Sequence, residues 1–155
     1  MSATAAARRI LTGLHGLMAT RLSAQDKLDR TVEVVGEALD SEVCSIYLLR
    51  SGMLELSATR GLNQSAVHVT RLAVGEGLTG TLVAHGETLN LAQAKAHPDF
   101  QYRPETGEDK FSSFAGVPIV YRERAVGALN VQHVDPRRYE DVEIEALQTT
   151  AMVLS

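Results

Sequence analysis

The sequence has few of the residues on which redox, metal and disulfide sites depend. Its 155 residues include one cysteine, Cys44, and no tryptophan. A disulfide within the chain and a cysteine-based zinc site are excluded, because each needs more than one thiol. The five histidines lack metal-binding spacing such as two histidines separated by three residues. We therefore predict no metal and no cofactor, and we interpret Cys44 as a small buried apolar residue.

Long apolar runs and concentrations of positive charge are also missing. No segment approaches the roughly 18 consecutive apolar residues of a membrane span. No signal-peptide cleavage site follows the basic pair Arg8 and Arg9. The formal net charge is −4 and no run of Lys and Arg is present, which disfavours a general nucleic-acid binder. We expect a cytoplasmic protein with neither nucleic-acid nor membrane partners.

The composition is that of a folded domain, with 45% hydrophobic and 22% charged residues. We predict one α+β domain over residues 1–155. It comprises N-terminal helices in 1–40, a sheet with an inserted helix and loop in 43–134, and an exit helix in 140–155. The helical pattern reaches Ser155 without a cap, so we expect further protein to follow it.

Hydrophobic periodicity locates the individual elements. Helices are predicted at 5–19 and from a Ser23 cap to residue 40. Alternating strand formers predict hairpins at 43–49 with 53–60 and at 115–121 with 125–134, and shorter strands near 68–72 and 88–91. In strand 53–60 we expect Leu54, Leu56 and Ala58 to share one face, since alternate residues do so.

A glycine-rich segment at 75–90 marks the change from strand to helix. Gly75, Gly77 and Gly80 precede an apolar pattern that ends at Gly86. The free amide groups of a helix start attract anions, and glycines let a ligand approach the backbone. The alternative is that these glycines only form the turn, and the sequence leaves both interpretations open.

Aromatic residues are concentrated in and beside a long irregular segment, 92–113. Four of the seven aromatic residues are Phe100, Tyr102, Phe111 and Phe114. A disordered loop would not ordinarily carry so much apolar bulk. We interpret the segment as a lid packed over a ligand site.

The last strand carries two carboxamides, Asn130 and Gln132, on the face that alternation assigns to Val126 and Ala128. In a core, their unpaired groups would cost about 1 to 3 kcal/mol each. We therefore expect a polar ligand to meet them. Ser45 and Tyr47 likewise share a face of the first strand, but hydrogen bonding within the sheet would also explain them.

The order of these elements resembles the GAF family of small-molecule sensor domains over essentially the whole chain. The resemblance implies an antiparallel sheet of about six strands, with terminal helices on one face and a lidded ligand pocket on the other. It is carried by residues 43–49, the segment Gly75-Glu76-Gly77-Leu78-Thr79-Gly80, and residues 97–100, 117–119 and 126–131, followed by Tyr139 and Asp141.

Segments 90–104, 111–118 and 131–132 are similar, more narrowly, to the GAF domains of nitrogen-type enzymes I of the bacterial phosphoenolpyruvate phosphotransferase system. This resemblance implies a regulatory domain without activity of its own. Its effector would be glutamine. Its output would be autophosphorylation of a phosphotransferase domain downstream in the same polypeptide.

The predicted ligand site is drawn from the family resemblance and from the residue patterns. Matching to cyclic-nucleotide-binding members of the family implies contacts from Ser45, Leu78, Thr79, Tyr102, Ser113 and Asn130. The residue patterns add Tyr47, Gly77, Phe100, Phe111, Phe114 and Gln132. Candidate partners for a ligand ammonium are Asp99, Glu105, Glu108 and Asp109, each of which is alternatively a solvated loop charge.

Other interpretations remain open at this stage. Apolar stripes on the terminal helices favour a homodimer through a helical bundle, with packing inside one monomer as the alternative. The domain could be a ligand-free dimerisation module whose pocket is filled by aromatic side chains. It could also sense another metabolite, such as 2-oxoglutarate or a cyclic nucleotide. A redox enzyme of this fold is disfavoured by the single cysteine.

Overall fold

The computed structural model describes residues 2–100 and 111–155. Within these ranges the chain forms four α-helices and six β-strands, connected by turns and two short 3-10 segments. The helices are α1 (Ala3–Met18), α2 (Ala24–Ala38), α3 (Gly77–His85) and α4 (Asp141–Leu154). The strands are β1 (Val43–Arg50), β2 (Met53–Arg60), β3 (Arg71–Ala73), β4 (Leu89–Leu91), β5 (Ser113–Tyr121) and β6 (Arg124–His133).

All six strands belong to one antiparallel sheet, in the order β3-β2-β1-β6-β5-β4. The two predicted hairpins, β1 with β2 and β5 with β6, join through the β1–β6 pair at the centre. The α+β class and the antiparallel sheet of about six strands are therefore confirmed. None of the helices in the described ranges is long and apolar enough to cross a membrane.

Three helices cover one face of the sheet, as predicted. Helix α2 packs on β1 and β2, α4 packs on β5, and α1 packs across α2 and α4. Their apolar stripes form a helix-side cluster with the inward residues of the strands. Members of this cluster include Ile10, Leu14, Val35, Leu39, Ile46, Val117, Leu129, Leu147 and Ala151. The stripes that favoured a homodimer are thus largely buried within one chain.

Helix α3 lies on the other face, against β5, β6 and β3. An α3-side cluster fills the space between them. Its buried members include Tyr47, Leu54, Leu56, Leu72, Leu78, Leu82 and Phe114. The helix ends at Gly86, which adopts the left-handed conformation at φ 64°, as expected for a glycine C-cap.

The predicted Ser23 cap is confirmed at the start of α2. The hydroxyl Oγ of Ser23 accepts a hydrogen bond from the amide of Asp26 at 3.1 Å. Helix α4 begins with a reciprocal capping box, in which Glu140 and Glu143 each accept a hydrogen bond from the other's backbone N–H. Such caps satisfy amides that the helix itself leaves unpaired.

Two side-chain directions predicted from simple alternation are wrong. Ala58 faces the helix-side cluster, whereas Leu54 and Leu56 face the α3 side. The pairing of β1 with β2 shifts between Ile46 and Tyr47, which inserts Ser57 as an extra residue. An extra residue in one strand reverses the faces beyond it.

The second wrong direction is that of Val126, which alternation assigned to the same face as Ala128. The pairing of β5 with β6 is irregular close to it, between Ile119 and Val120. Val126 packs against the helix-side cluster, whereas Ala128 lies in the α3-side cluster. The strand predicted near 68–72 also starts later, at Arg71. His68 cannot continue a strand because its backbone is left-handed, with φ 65°.

Candidate functional site

A group of buried, uncharged polar side chains lies on the sheet beneath α3. We call it the polar cluster. Its members are at most 6% exposed and come from β1, β2, α3 and β6: Ser45, Thr59, Thr79, Asn130 and Gln132. Buried polar groups are usually paired, so the hydrogen bonds of this cluster indicate what the site can bind.

Three members of the cluster form a row across adjacent strands. In the sheet register Ser45 stands opposite both Thr59 on β2 and Asn130 on β6. The hydroxyl groups of Ser45 and Thr59 are 2.8 Å apart and share a hydrogen bond. Ser45 therefore has a partner within the sheet, which was the alternative that the sequence left open.

Asn130 has one satisfied end and one unsatisfied end. Its amide Nδ2 donates to Oγ1 of Thr79 at 2.7 Å, joining β6 to the first turn of α3. Its carbonyl oxygen Oδ1 is buried and has no hydrogen-bond partner among the described residues. A buried acceptor in this condition costs about 1 to 3 kcal/mol, so it is available to a ligand that supplies a donor.

Gly116 leaves room for that oxygen. It is the register partner of Asn130 on β5. A Cβ atom added at Gly116 would lie 2.7 Å from Oδ1 of Asn130 and 2.6 Å from a methyl group of Leu82. Both distances are shorter than real Cβ contacts, so any side chain at this position would displace the carboxamide.

The buried first turn of α3 lies beside Asn130. The first helical hydrogen bond runs from the amide of Gly80 to the carbonyl of Glu76 at 3.0 Å, which leaves the amides of Gly77, Leu78 and Thr79 without helical acceptors. Glu76 does not cap them, and its carboxylate instead accepts from Ala73 at 3.2 Å. A carboxylate on a ligand suits such a helix start.

The glycines at the start of α3 and in the turn before it have a packing role. A Cβ atom on Gly80 would lie 2.6 Å from the carbonyl oxygen of Ala73, and the Gly80 carbonyl accepts from the Gly75 amide at 2.8 Å. Gly75 and Gly77 have positive φ angles of 94° and 68°. Gly80 therefore contacts the preceding turn, and the turn-forming interpretation holds for Gly75 and Gly80.

Aromatic side chains border the polar cluster. Phe114 is 2% exposed and stands opposite Gln132 in the register, in the same α3-side cluster as Tyr47. Phe111 packs with Val43 and Leu62. Phe100 is half-buried against the α3-side cluster. Four predicted residues, Tyr102, Glu105, Glu108 and Asp109, lie outside the described residues.

Two predicted residues lie away from the cluster. The Ser113 hydroxyl accepts from the His133 amide at 3.0 Å, and Ser113 alternates with Phe114, so it faces the helix side of the sheet. Asp99 is exposed, with its carboxylate 3.8 Å from Nδ1 of His97. We therefore leave both residues out of the site.

The polar cluster contains no ionisable group. Burial raises the pKa of the Cys44 thiol well above its usual range, on the opposite face of the sheet. Burial also raises the pKa of Tyr139 to about 12, beside the hydroxyl of Ser41 at 2.6 Å. The described residues contain no group of His, Cys, Asp or Glu suited to a metal. The site can therefore act through neutral hydrogen bonds and the start of α3.

Thr59 was not predicted to belong to this site. Alternation assigned it to the side of β2 away from Leu54 and Leu56, and the extra residue Ser57 turns it toward Ser45 instead. The sequence carries no signal for this insertion.

The GAF domain family model matches residues 23–155. A protein of Escherichia coli (strain K12) named Phosphoenolpyruvate-dependent phosphotransferase system is 40% identical over 116 residues, covering 74% of this chain and 16% of that protein. The chain thus spans less than a fifth of the length of that relative.

Two solved GAF domains of phosphoenolpyruvate-protein phosphotransferases are also similar. The domain from Coxiella burnetii (ptsP) has a TM-score of 0.91 and 30% identity, covering 99% of this chain and 92% of that one. The domain from Acinetobacter has a TM-score of 0.83 and 33% identity, covering 100% and 92%. The likeness therefore extends over the whole fold.

Proposed function

The chain belongs to the GAF family, within the group found in phosphoenolpyruvate phosphotransferases, and from this we propose that it is a regulatory domain that binds glutamine. The domain has no catalytic activity of its own in this proposal. Its role is to change the activity of a phosphotransferase domain that follows it in the same polypeptide.

The observation that carries the proposal is the unpartnered oxygen Oδ1 of Asn130. A carboxamide held by Thr79 at one end and unsatisfied at the other is costly in a protein that binds nothing. The cost is explained if a ligand donor occupies the site during function. An uncapped helix start lies beside it and favours a ligand carboxylate.

Glutamine has the matching groups. Its carboxylate would accept from the amides of Leu78 and Thr79, and its side-chain N–H would donate to Oδ1 of Asn130. Glutamate would instead bring a second carboxylate oxygen against that acceptor. A site built on such a hydrogen bond rejects the analogue that cannot make it.

The proposed output passes through β4 to α4. Asn90 on β4 holds the backbone of Tyr139 at both ends, donating to its carbonyl at 2.8 Å and accepting from its amide at 3.1 Å. Tyr139 precedes the first turn of α4. Displacement of β4 by ligand would thus reach α4, with a coupling free energy of about 1 to 3 kcal/mol.

The wider assembly is part of the same proposal. We expect a cytoplasmic homodimer through the terminal helices, with a phosphotransferase domain after α4. Because the stripes on these helices are mostly buried within the monomer, the dimer would use the side chains that remain exposed on α1 and α4. These include Leu11, Met18 and Met152.

Isothermal titration calorimetry tests the proposed effector. We expect saturable heat with glutamine and much weaker binding of glutamate, 2-oxoglutarate and cyclic nucleotides. Binding of one of the other compounds without binding of glutamine would contradict the choice of ligand and retain the sensor function.

The competing function is a ligand-free dimerisation module, and the burial of Phe111 and Phe114 favours it. A thermal-shift screen separates the two functions. A ligand at 100 times its dissociation constant stabilises the fold by about 2.7 kcal/mol, whereas the dimerisation module shows no shift with any metabolite.

A further inference from the structure

The turns of the two hairpins lie at the same end of the sheet and border an open groove. One turn joins Arg50 to β2, the other joins Tyr121 to β6, and the antiparallel pairing of β1 with β6 places them side by side. Leu48 and Val126 pack against the helix-side cluster, so the groove lies mainly on the face opposite the polar cluster. Its volume is about 460 Å³, and its lining residues are Leu48, Leu49, Arg50, Tyr121, Val126 and Ser155.

The tip of the β5–β6 hairpin presents an aromatic ring to this groove. Tyr121 is 51% exposed and its neighbour Val120 is 44% exposed. The guanidinium group of Arg122 lies over the ring of Tyr121, 5.2 Å from its centroid, an arrangement in which cation and ring attract each other. Tyrosine and arginine are among the residues that most often dominate the binding energy of protein interfaces.

The groove is also bordered by arginines that the fold does not use. Arg50, Arg122 and Arg124 are exposed, and none of them forms an ion pair with the residues that the structure describes. The carboxylate of Glu55 is within electrostatic range of Arg50 but is already paired with Arg71. The chain as a whole has a net charge of −4, so this basic border runs against the average charge of the protein.

The backbone of the hairpin tip is strained in a way that packing does not explain. Arg122 and Glu123 both have positive φ angles, 50° and 67°. A two-residue hairpin turn with this conformation favours Asn followed by Gly, because a Cβ atom disfavours positive φ. Such strain is typical of functional positions. The presence of an arginine at this position therefore indicates a use for its side chain outside the fold.

We propose that the groove is a docking site for a partner protein, which presents an acidic segment carrying an apolar side chain. Carboxylates of the segment pair with the guanidinium groups of Arg50, Arg122 and Arg124. The apolar side chain packs between Tyr121 and Val126, in the manner of an interface with an apolar centre and a polar rim. The site goes beyond the proposed sensor function and is independent of glutamine, because it lies on the opposite face of the sheet.

Fluorescence anisotropy with a labelled peptide tests the site. The probe is a short peptide of glutamates with one central leucine, and its control replaces the glutamates by lysines. The acidic peptide should bind saturably and more weakly as salt is added, whereas the lysine peptide should not bind. Equal binding of the two peptides, or binding of neither, would overturn the proposal. Binding to phosphatidylserine vesicles without binding of the acidic peptide would also overturn it, in favour of a membrane surface.

Matched double variants separate the groove from the overall charge. Arg122→Asn/Arg124→Gln should weaken binding of the acidic peptide at least about tenfold. Its unfolding temperature should not fall, because asparagine tolerates positive φ. Arg8→Gln/Arg30→Gln removes the same charge from exposed positions on α1 and α2 and should bind within about twofold of the wild type. Unchanged affinity in the first variant, or equal weakening in both, would overturn the proposal and leave the proposed function intact.

Discussion

The double variant Thr79→Val/Asn130→Leu is expected to lose glutamine binding and to unfold at a temperature no lower than that of the wild type. The substitutions remove a bonded pair together with the unpartnered Oδ1 of Asn130. Loss of the pair costs about 1 kcal/mol, whereas removal of the buried unsatisfied acceptor regains about 1 to 3 kcal/mol. Binding should weaken at least about 100-fold, since the ligand loses its main polar contact. Calorimetry and thermal unfolding measure the two effects.

A matched double variant lies on the opposite face of the sheet. Ser41 and Tyr139 also form a buried side-chain hydrogen bond, with their hydroxyl oxygens 2.6 Å apart. Ser41→Ala/Tyr139→Phe should retain glutamine affinity within about twofold, because neither side chain faces the polar cluster. Equal loss of affinity in both double variants would mean that binding depends on general stability rather than on Asn130.

Gly80→Ala is expected to destabilise the domain and to weaken binding together. The new methyl group would lie 2.6 Å from the backbone oxygen of Ala73, which cannot move without shifting the turn before α3. Overpacking of this kind costs about 1 to 3 kcal/mol. The displaced helix start would also lose its contact with the ligand carboxylate, and we expect at least a tenfold fall in affinity.

Gly16→Ala provides the control in another helix. Gly16 lies in α1, and an added Cβ would meet no atom within 4 Å. Alanine is the better helix former by about 0.8 to 1 kcal/mol, so this variant should be more stable and should bind glutamine unchanged. Gly80→Ala with normal affinity would show that the α3 start does not hold the ligand.

Local sequence signals predicted much of the fold, because they act within a few residues. The Ser23 cap, the end of α3 at Gly86 and the two hairpins each depend on contacts between near neighbours. The resemblance to GAF domains then implied one antiparallel sheet of about six strands with the terminal helices on one face, which no local signal determines. The buried carboxamide of Asn130 was predicted from simple alternation, since no irregularity separates it from Ala128.

The remaining errors arise where strand pairing is irregular. The extra residue at Ser57 moves Thr59 into the polar cluster and Ala58 out of the expected face. Whether a strand accommodates such a residue depends on the register of its partners, which the strand's own sequence does not encode.

A crystal structure of the domain with bound glutamine tests the central claim most directly. The account predicts the glutamine side-chain nitrogen within about 2.9 Å of Oδ1 of Asn130, with its carboxylate at the amides of Leu78 and Thr79. Glutamine bound elsewhere, with Oδ1 of Asn130 still buried and unpartnered, would contradict it.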